Sequence, residues 1–402
     1  MQTPSYPPIG DVTLPAASVA TAAPPVSRWR AWAGSLAVPV AVFTVTRAGL
    51  FLLAYLSLVL MPLDTSKPRP FAHNLFLDGW LRWDGGWYKG IAVRGYSNIP
   101  AASGESNVAF FPFYPLLIRA LHTVIPDPYV AALLVSNVAF LLALIVLYRL
   151  ARLYLDEGAA RRTLVLVAVF PFAFYFSAVY SESVFLLAVV AAFYFGERRR
   201  WLWAALAAAA ASATRAVGIF TVVGLVVLYL QHIDFQWRRV RPDILWLALG
   251  GAGLVAWMVY LGSAFGNPLA FAYAQDVAGW GYFGPGDMLS ALRSALSVSA
   301  LLDGTYRALA VIHALIGLGA LALGVVAWRR IGPAYAVWSL LVVVASFSMF
   351  VGMGRYVSVV FPVFMVGALL LKDTRWYQAT LYVSILLLAL FTIMFSHWLF
   401  LT

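Results

Sequence analysis

Apolar runs recur along this chain at close to the length needed to cross a bilayer, and they constrain its fold more than any single motif. A spanning helix needs about 20 consecutive apolar residues. Runs of that length or slightly shorter lie at 35–61, 129–148, 163–180, 183–196, 201–214, 216–231, 244–264, 306–328, 333–350, 355–371 and 378–400. With 63% hydrophobic and 11% charged residues, the chain holds more apolar surface than a soluble globule of its size can bury. The expected fold is an all-α polytopic membrane bundle of about eleven transmembrane helices. Residues 1–34 read as a disordered cytoplasmic tail without the make-up of a secretory signal, and 35–402 as a single transmembrane domain.

The net charge of +11 reads as a topology signal. Sixteen of the 27 basic residues fall on alternate connections: Arg28, Arg30, Arg149, Arg152, Arg161, Arg162, Arg198, Arg199, Arg200, Arg238, Arg239, Arg241, Arg329, Arg330, Lys372 and Arg375. Basic residues gather on cytoplasmic loops, so the N-terminus is expected inside and the C-terminus outside, in the cell membrane. The dispersion of the charges argues against nucleic acid as a partner. There is no cysteine. The five histidines lack metal-ligand spacing, and neither a P-loop nor GxGxxG occurs. No metal and no cofactor are expected.

Two long segments, 62–128 and 265–305, are expected outside, and both are too aromatic for ordinary solvated loops. FPFYPLLIRALHTVI (111–125) reads as a re-entrant or interfacial amphipathic helix, its Phe, Tyr and Leu facing lipid and Arg119 snorkelling. No internal repeat is visible, which counts against a transporter.

Charges near spans need a reason. Glu182, Arg215 and Arg355 fall at connections expected on the outer face, and Asp84 lies in the first outer loop. Asp84, beside Trp83 and Gly85-Gly86, has the setting of a general base for an acceptor hydroxyl. It also has the setting of a helix cap. Trp83, Trp87, Tyr88 and Tyr96 offer flat faces for a sugar ring or a place at the headgroup level, and Arg82 and Tyr180 are further candidates to bind substrate. Ser181 and Glu182 read either as an N-cap with a first-turn carboxylate or as part of a site. Arg215 has the charge to pair with Glu182 or to take a phosphate bidentately, and Arg355 with Tyr356 the charge to take a lipid phosphate or, for Arg355, to snorkel. Arg47, in mid-span, is expected to pair within the bundle.

Seven segments in order carry a resemblance: RWDGGWYKGIAVRGY (82–96), NVAFFPFYPLLIR (107–119), FPFAFYFSAVYSESVF (170–185), SATRAVGIF (212–220), FGNPLAFAYAQ (265–275), GRYVSVVFPVF (354–364) and His397-Trp398. Together they resemble the PIG-V family of mannosyltransferases, members of the GT-C class, and the Arg- and Ala-rich chain looks like a bacterial member. The resemblance implies a GT-C-like bundle and a polyprenyl-phosphate-linked sugar donor used on the outer face. It also implies that Asp84 is the catalytic carboxylate and that Arg215 and Arg355 match family arginines. The acceptor would be a lipid, a glycan or a protein. A lipid or polymer flippase without catalysis is the alternative.

Overall fold

The computed structural model describes residues 28–97, 99, 105–274, 293, 297, 305–347 and 352–399. Of the expected tail 1–34, residues 1–27 lie outside the described residues, as does nearly all of 275–304 in the second long segment; residues 28–34 are helical and open the first helix, a correction to the tail's expected end. Among the described residues every regular element is helical. In chain order these are α1 (Arg28–Leu60), α2 (Leu75–Asp78), α3 (Gly85–Arg94), α4 (Phe113–His122), α5 (Pro128–Ala151), α6 (Glu157–Ala168), α7 (Glu182–Glu197) and α8 (Trp201–Thr214). There follow α9 (Phe220–His232), α10 (Ala252–Phe265), α11 (Ala270–Tyr273), α12 (Thr305–Arg330), α13 (Pro333–Ser346), α14 (Met353–Ser358), α15 (Phe361–Leu370) and α16 (Thr374–Ser396). A 3₁₀ stretch, Pro242–Gly251, leads into α10.

Among the described residues, five helical stretches are long and apolar enough to cross a membrane: Leu36–Leu60, Pro128–Ala151, Pro242–Phe265, Leu309–Arg330 and Thr374–Ser396. The other expected runs fall on shorter apolar helices, three of them interrupted. α6 breaks into the 3₁₀ turn Ala173–Phe176, the turn Ala216–Ile219 precedes α9, and α14 is followed by α15. Several ends are set by local chemistry. Asp127, Asp156 and Asp373 cap α5, α6 and α16, each accepting backbone N–H bonds, which satisfies donors that have no partner inside the helix.

α7 forms the centre of the bundle, packed against α5, α8 and α9. Its neighbour α8 is rich in alanine, and this lets backbones approach closely. A Cβ at Gly253 of α10 would stand 2.1 Å from the carbonyl oxygen of Ala209.

Arg47 lies in α1 and pairs inside the bundle, as the sequence suggests, though with carbonyls and not with a carboxylate. Its guanidinium donates to Ala168 O at 2.8 Å, Ala173 O at 2.9 Å and Ser177 Oγ at 3.2 Å. It also lies over the Phe140 ring at 4.8 Å. Those carbonyls belong to the end of α6 and the turn after it, so a cation from another helix caps the break.

α4 departs from the interfacial expectation. It packs on α3 and α5 with Tyr114 and Ile118 fully buried, and Leu116 on its other face is exposed. Arg119 does not snorkel: it donates to Ile91 O and Ala92 O at 3.1 and 2.8 Å, capping the C-terminal turn of α3. The helix is a buttress for α3, because carbonyls at the end of that helix offer the guanidinium a better partner than lipid does.

Candidate functional site

Asp84 stands where a cap would stand, immediately before α3, yet its side chain makes no cap hydrogen bond. Instead its Oδ2 accepts from Arg355 Nη1 at 2.6 Å. Trp83, just before it, has φ +50°, a left-handed conformation that non-glycine residues adopt at a cost. The turn sends Arg82 and Asp84 to different partners. Gly85 permits the close approach, since a Cβ there would lie 3.3 Å from Val179 O.

The start of α7 shows the same substitution of partners. Ser181 makes no cap bond; its Oγ accepts from the Tyr88 hydroxyl at 3.0 Å. Glu182, fully buried, accepts from Arg215 Nη2 at 2.7 Å and from Arg355 Nε. Arg215 arrives at the C-terminal end of α8 and Arg355 in α14. Gly354 lets α14 close onto the turn before α7, where a Cβ would meet the Phe172 ring at 2.2 Å. Aromatic faces line the cations. Arg355 lies over Tyr180 at 4.6 Å and Tyr175 at 5.4 Å, and Arg215 over Tyr356 at 5.1 Å. The Asp84 backbone N–H donates to the Tyr180 hydroxyl at 3.3 Å.

Four elements distant in sequence thus deliver two carboxylates and two guanidinia to one end of the bundle. The formal charges cancel, but the hydrogen bonding is incomplete. Glu182 Oε2 and Arg215 Nη1 are buried without a protein partner. A buried unpaired donor of this kind is costly in a purely structural cluster and well suited to a ligand oxygen.

The other anticipated residues are placed differently. Arg82 is 2% exposed. It donates to Asp78 Oδ2, to the carbonyls of Asp78 and Leu81, and to Ser396 O at the end of α16. It also lies over Trp398 at 5.0 Å. Its guanidinium therefore fixes the Asp84 turn from below and stays outside the cluster. Trp83 meets Trp398 edge to face at 5.6 Å, and Trp87 stacks on Phe110 at 5.9 Å. Tyr175, under the Arg355 guanidinium, belongs to the site but has no signal in the sequence. Tyr175 sits in an aromatic run that no local signal separates from core. Among the described residues no group of three or more His, Asp and Glu is placed to hold a metal ion.

The model of the dolichyl-phosphate-mannose-protein mannosyltransferase family matches residues 109–262. That stretch, under half of the chain, holds Glu182 and Arg215 but neither Asp84 nor Arg355. No curated protein matches the chain. Among solved structures it is similar to ArnT from Cupriavidus metallidurans bound to undecaprenyl phosphate, at 16% identity and a TM-score of 0.50, over 84% of this chain and 61% of that one. A weaker likeness is to the archaeal oligosaccharyltransferase AglB from Archaeoglobus fulgidus in complex with an inhibitory peptide and a dolichol-phosphate. There the identity is 13% and the TM-score 0.45, over 92% of this chain and 56% of that one. The chain spans about three-fifths of the length of ArnT. The likeness to ArnT is one of fold: this is a GT-C-like helical membrane bundle with an acid–arginine cluster at one end.

Proposed function

We propose that the chain is an integral membrane glycosyltransferase that moves a hexose, most simply mannose, from a polyprenyl-phosphate-linked donor to a lipid, glycan or protein acceptor. The observation that carries this reading is Arg355 shared between Asp84 and Glu182, beside the unmatched Arg215 Nη1. The mannosyltransferase family match and the undecaprenyl phosphate held by ArnT support the choice of donor.

In the reaction, the acceptor oxygen bonds to the anomeric carbon as the bond from that carbon to the phosphate oxygen breaks. The acceptor proton passes to Asp84. The phosphodiester, singly charged, leaves as a lipid phosphate with one more negative charge. Asp84 loses its charge in the same step, so the negative partner of Arg355 moves from the carboxylate to the phosphate. Arg215 Nη1 is available to a second phosphate oxygen. Charge held in place before it is needed is a large source of transition-state stabilisation. Glu182, without access to substrate, holds the two guanidinia in register. The lipid tail would lie between helices, and the site on the outer face.

Arg47, a mid-span charge on which a flippase path would have to draw, is already engaged by carbonyls of the bundle, which favours transfer over transport. The test is a membrane assay with polyprenyl-phosphate-mannose and a range of acceptors. Asp84→Asn keeps the shape and removes the base, and turnover is expected to fall by about a hundredfold to ten-thousandfold. Near wild-type turnover in folded protein would refute Asp84 as base. Lipid translocation in proteoliposomes with no sugar transfer would refute the enzyme reading.

A further inference from the structure

The opposite end of the bundle carries a concavity that the reaction does not use. It has a volume of about 310 Å³, is open to the surface, and is lined by Arg199, Arg200, Trp201, Leu202, Trp203, Asp243 and Trp246. It lies between the α7–α8 turn and the 3₁₀ stretch that leads into α10. We infer that this cavity binds the phosphate headgroup of an anionic phospholipid of the surrounding bilayer.

Charge is the first argument. Arg199 and Arg200 are exposed and stand at the wall of the cavity against one carboxylate. That carboxylate, Asp243, already accepts the Tyr229 hydroxyl at 2.9 Å. The turn holding the arginines is fixed by Arg199 N–H to Gly196 O at 2.8 Å and Arg200 N–H to Phe195 O at 2.9 Å. Arg199 has φ +56°, at a position after a helix end where glycine is the usual residue. The first turn of α8, which has no side-chain cap, forms another wall and adds the positive end of a helix to the two guanidinia.

The second argument distinguishes a lipid from a soluble anion. Trp203 and Trp246 flank the cavity at 55% and 47% exposure, the setting of tryptophan at headgroup depth. Beyond each, one turn further along its helix, an exposed leucine follows: Leu206 beyond Trp203, and Leu249 beyond Trp246. An acyl chain leaving a phosphate in the cavity would run along these apolar surfaces. A concavity of about 310 Å³ has room for a phosphoglycerol headgroup.

Native mass spectrometry of the purified protein, given equal amounts of phosphatidylglycerol and phosphatidylcholine, tests the assignment. Phosphatidylglycerol is expected to be retained preferentially. Arg200→Gln should lower its retention about fivefold, and Arg199→Gln with Arg200→Gln about twentyfold. Arg238→Gln, at the same end but outside the cavity, should not change it. The thermal transition in phosphatidylcholine reports whether each variant is folded. Equal retention of the two lipids, or undiminished phosphatidylglycerol in both cavity variants, overturns the site. Displacement by inorganic phosphate at the concentration of the lipid would make it a free-anion site and overturn the lipid assignment.

Discussion

Asp84 and Glu182 share one guanidinium, and their surroundings separate their roles. The Asp84 side chain is 18% exposed and has one arginine; Glu182 is fully buried between two. Only the first can meet a substrate hydroxyl. Glu182→Gln would leave two largely buried cations with Asp84 as their single carboxylate, and breaking a buried ion pair costs about 3–5 kcal/mol. Its thermal transition in detergent is expected to fall well below that of Asp84→Asn, where Glu182 still holds both arginines. Equal losses in the two variants would contradict this division. Arg355→Lys keeps the charge but gives one ammonium where Nε and Nη1 now serve two carboxylates. Loss of one charge-assisted hydrogen bond, about 1.5–3 kcal/mol, corresponds to about a tenfold to hundredfold drop in kcat. Full activity in this lysine variant would mean that Arg355 acts only as a charge.

At the scale of elements, the helices were legible and their special ends were not. A helix in lipid must be apolar for most of its length, so composition alone marks it. Asp127, Asp156 and Asp373 cap as their positions suggest. Asp84 and Ser181 stand in equivalent positions and do not, because Arg355 lies 271 residues from Asp84 and Tyr88 lies 93 from Ser181. A local rule cannot see a partner at that separation. The break after α6 is a further case. The sequence reads 163–180 as one span, whereas the chain leaves the helix at Ala168 and Arg47 satisfies the exposed carbonyls. Because this break leads directly to Glu182, Arg47→Leu should cost about 1–3 kcal/mol for the buried Ala168 carbonyl that loses the guanidinium. It should also reduce glycosyl transfer, although Arg47 touches no part of the cluster. Thermal unfolding and the transfer assay, run on the same preparation, check both; a stable and fully active variant would show that the break holds without its cap.

Across the whole molecule, α7 joins two unlike ends. Its 16 residues span about 24 Å, with the acid–arginine cluster at Glu182 and Arg198, Arg199 and Arg200 just past Glu197. A hydrocarbon core is about 30 Å thick, so arginines held at one interface leave Glu182 short of the other. The cluster would then sit just beneath the headgroups, at a depth where the phosphate of a lipid-linked donor can descend to it and bulk water is scarce. The charge rule predicts that the arginine-rich end faces the cytoplasm, and this proposed orientation can be tested because the chain has no cysteine. Ser66 is exposed in the loop between α1 and α2, at the cluster end. Asp234 is exposed after α9, at the arginine end. Ser66→Cys should react with an impermeant maleimide added to intact cells, and Asp234→Cys only once the membrane is opened. The reverse pattern would put Asp84 on the cytoplasmic side, where the charge rule predicts the arginines, and the proposed transfer would have to draw its donor from the inner leaflet.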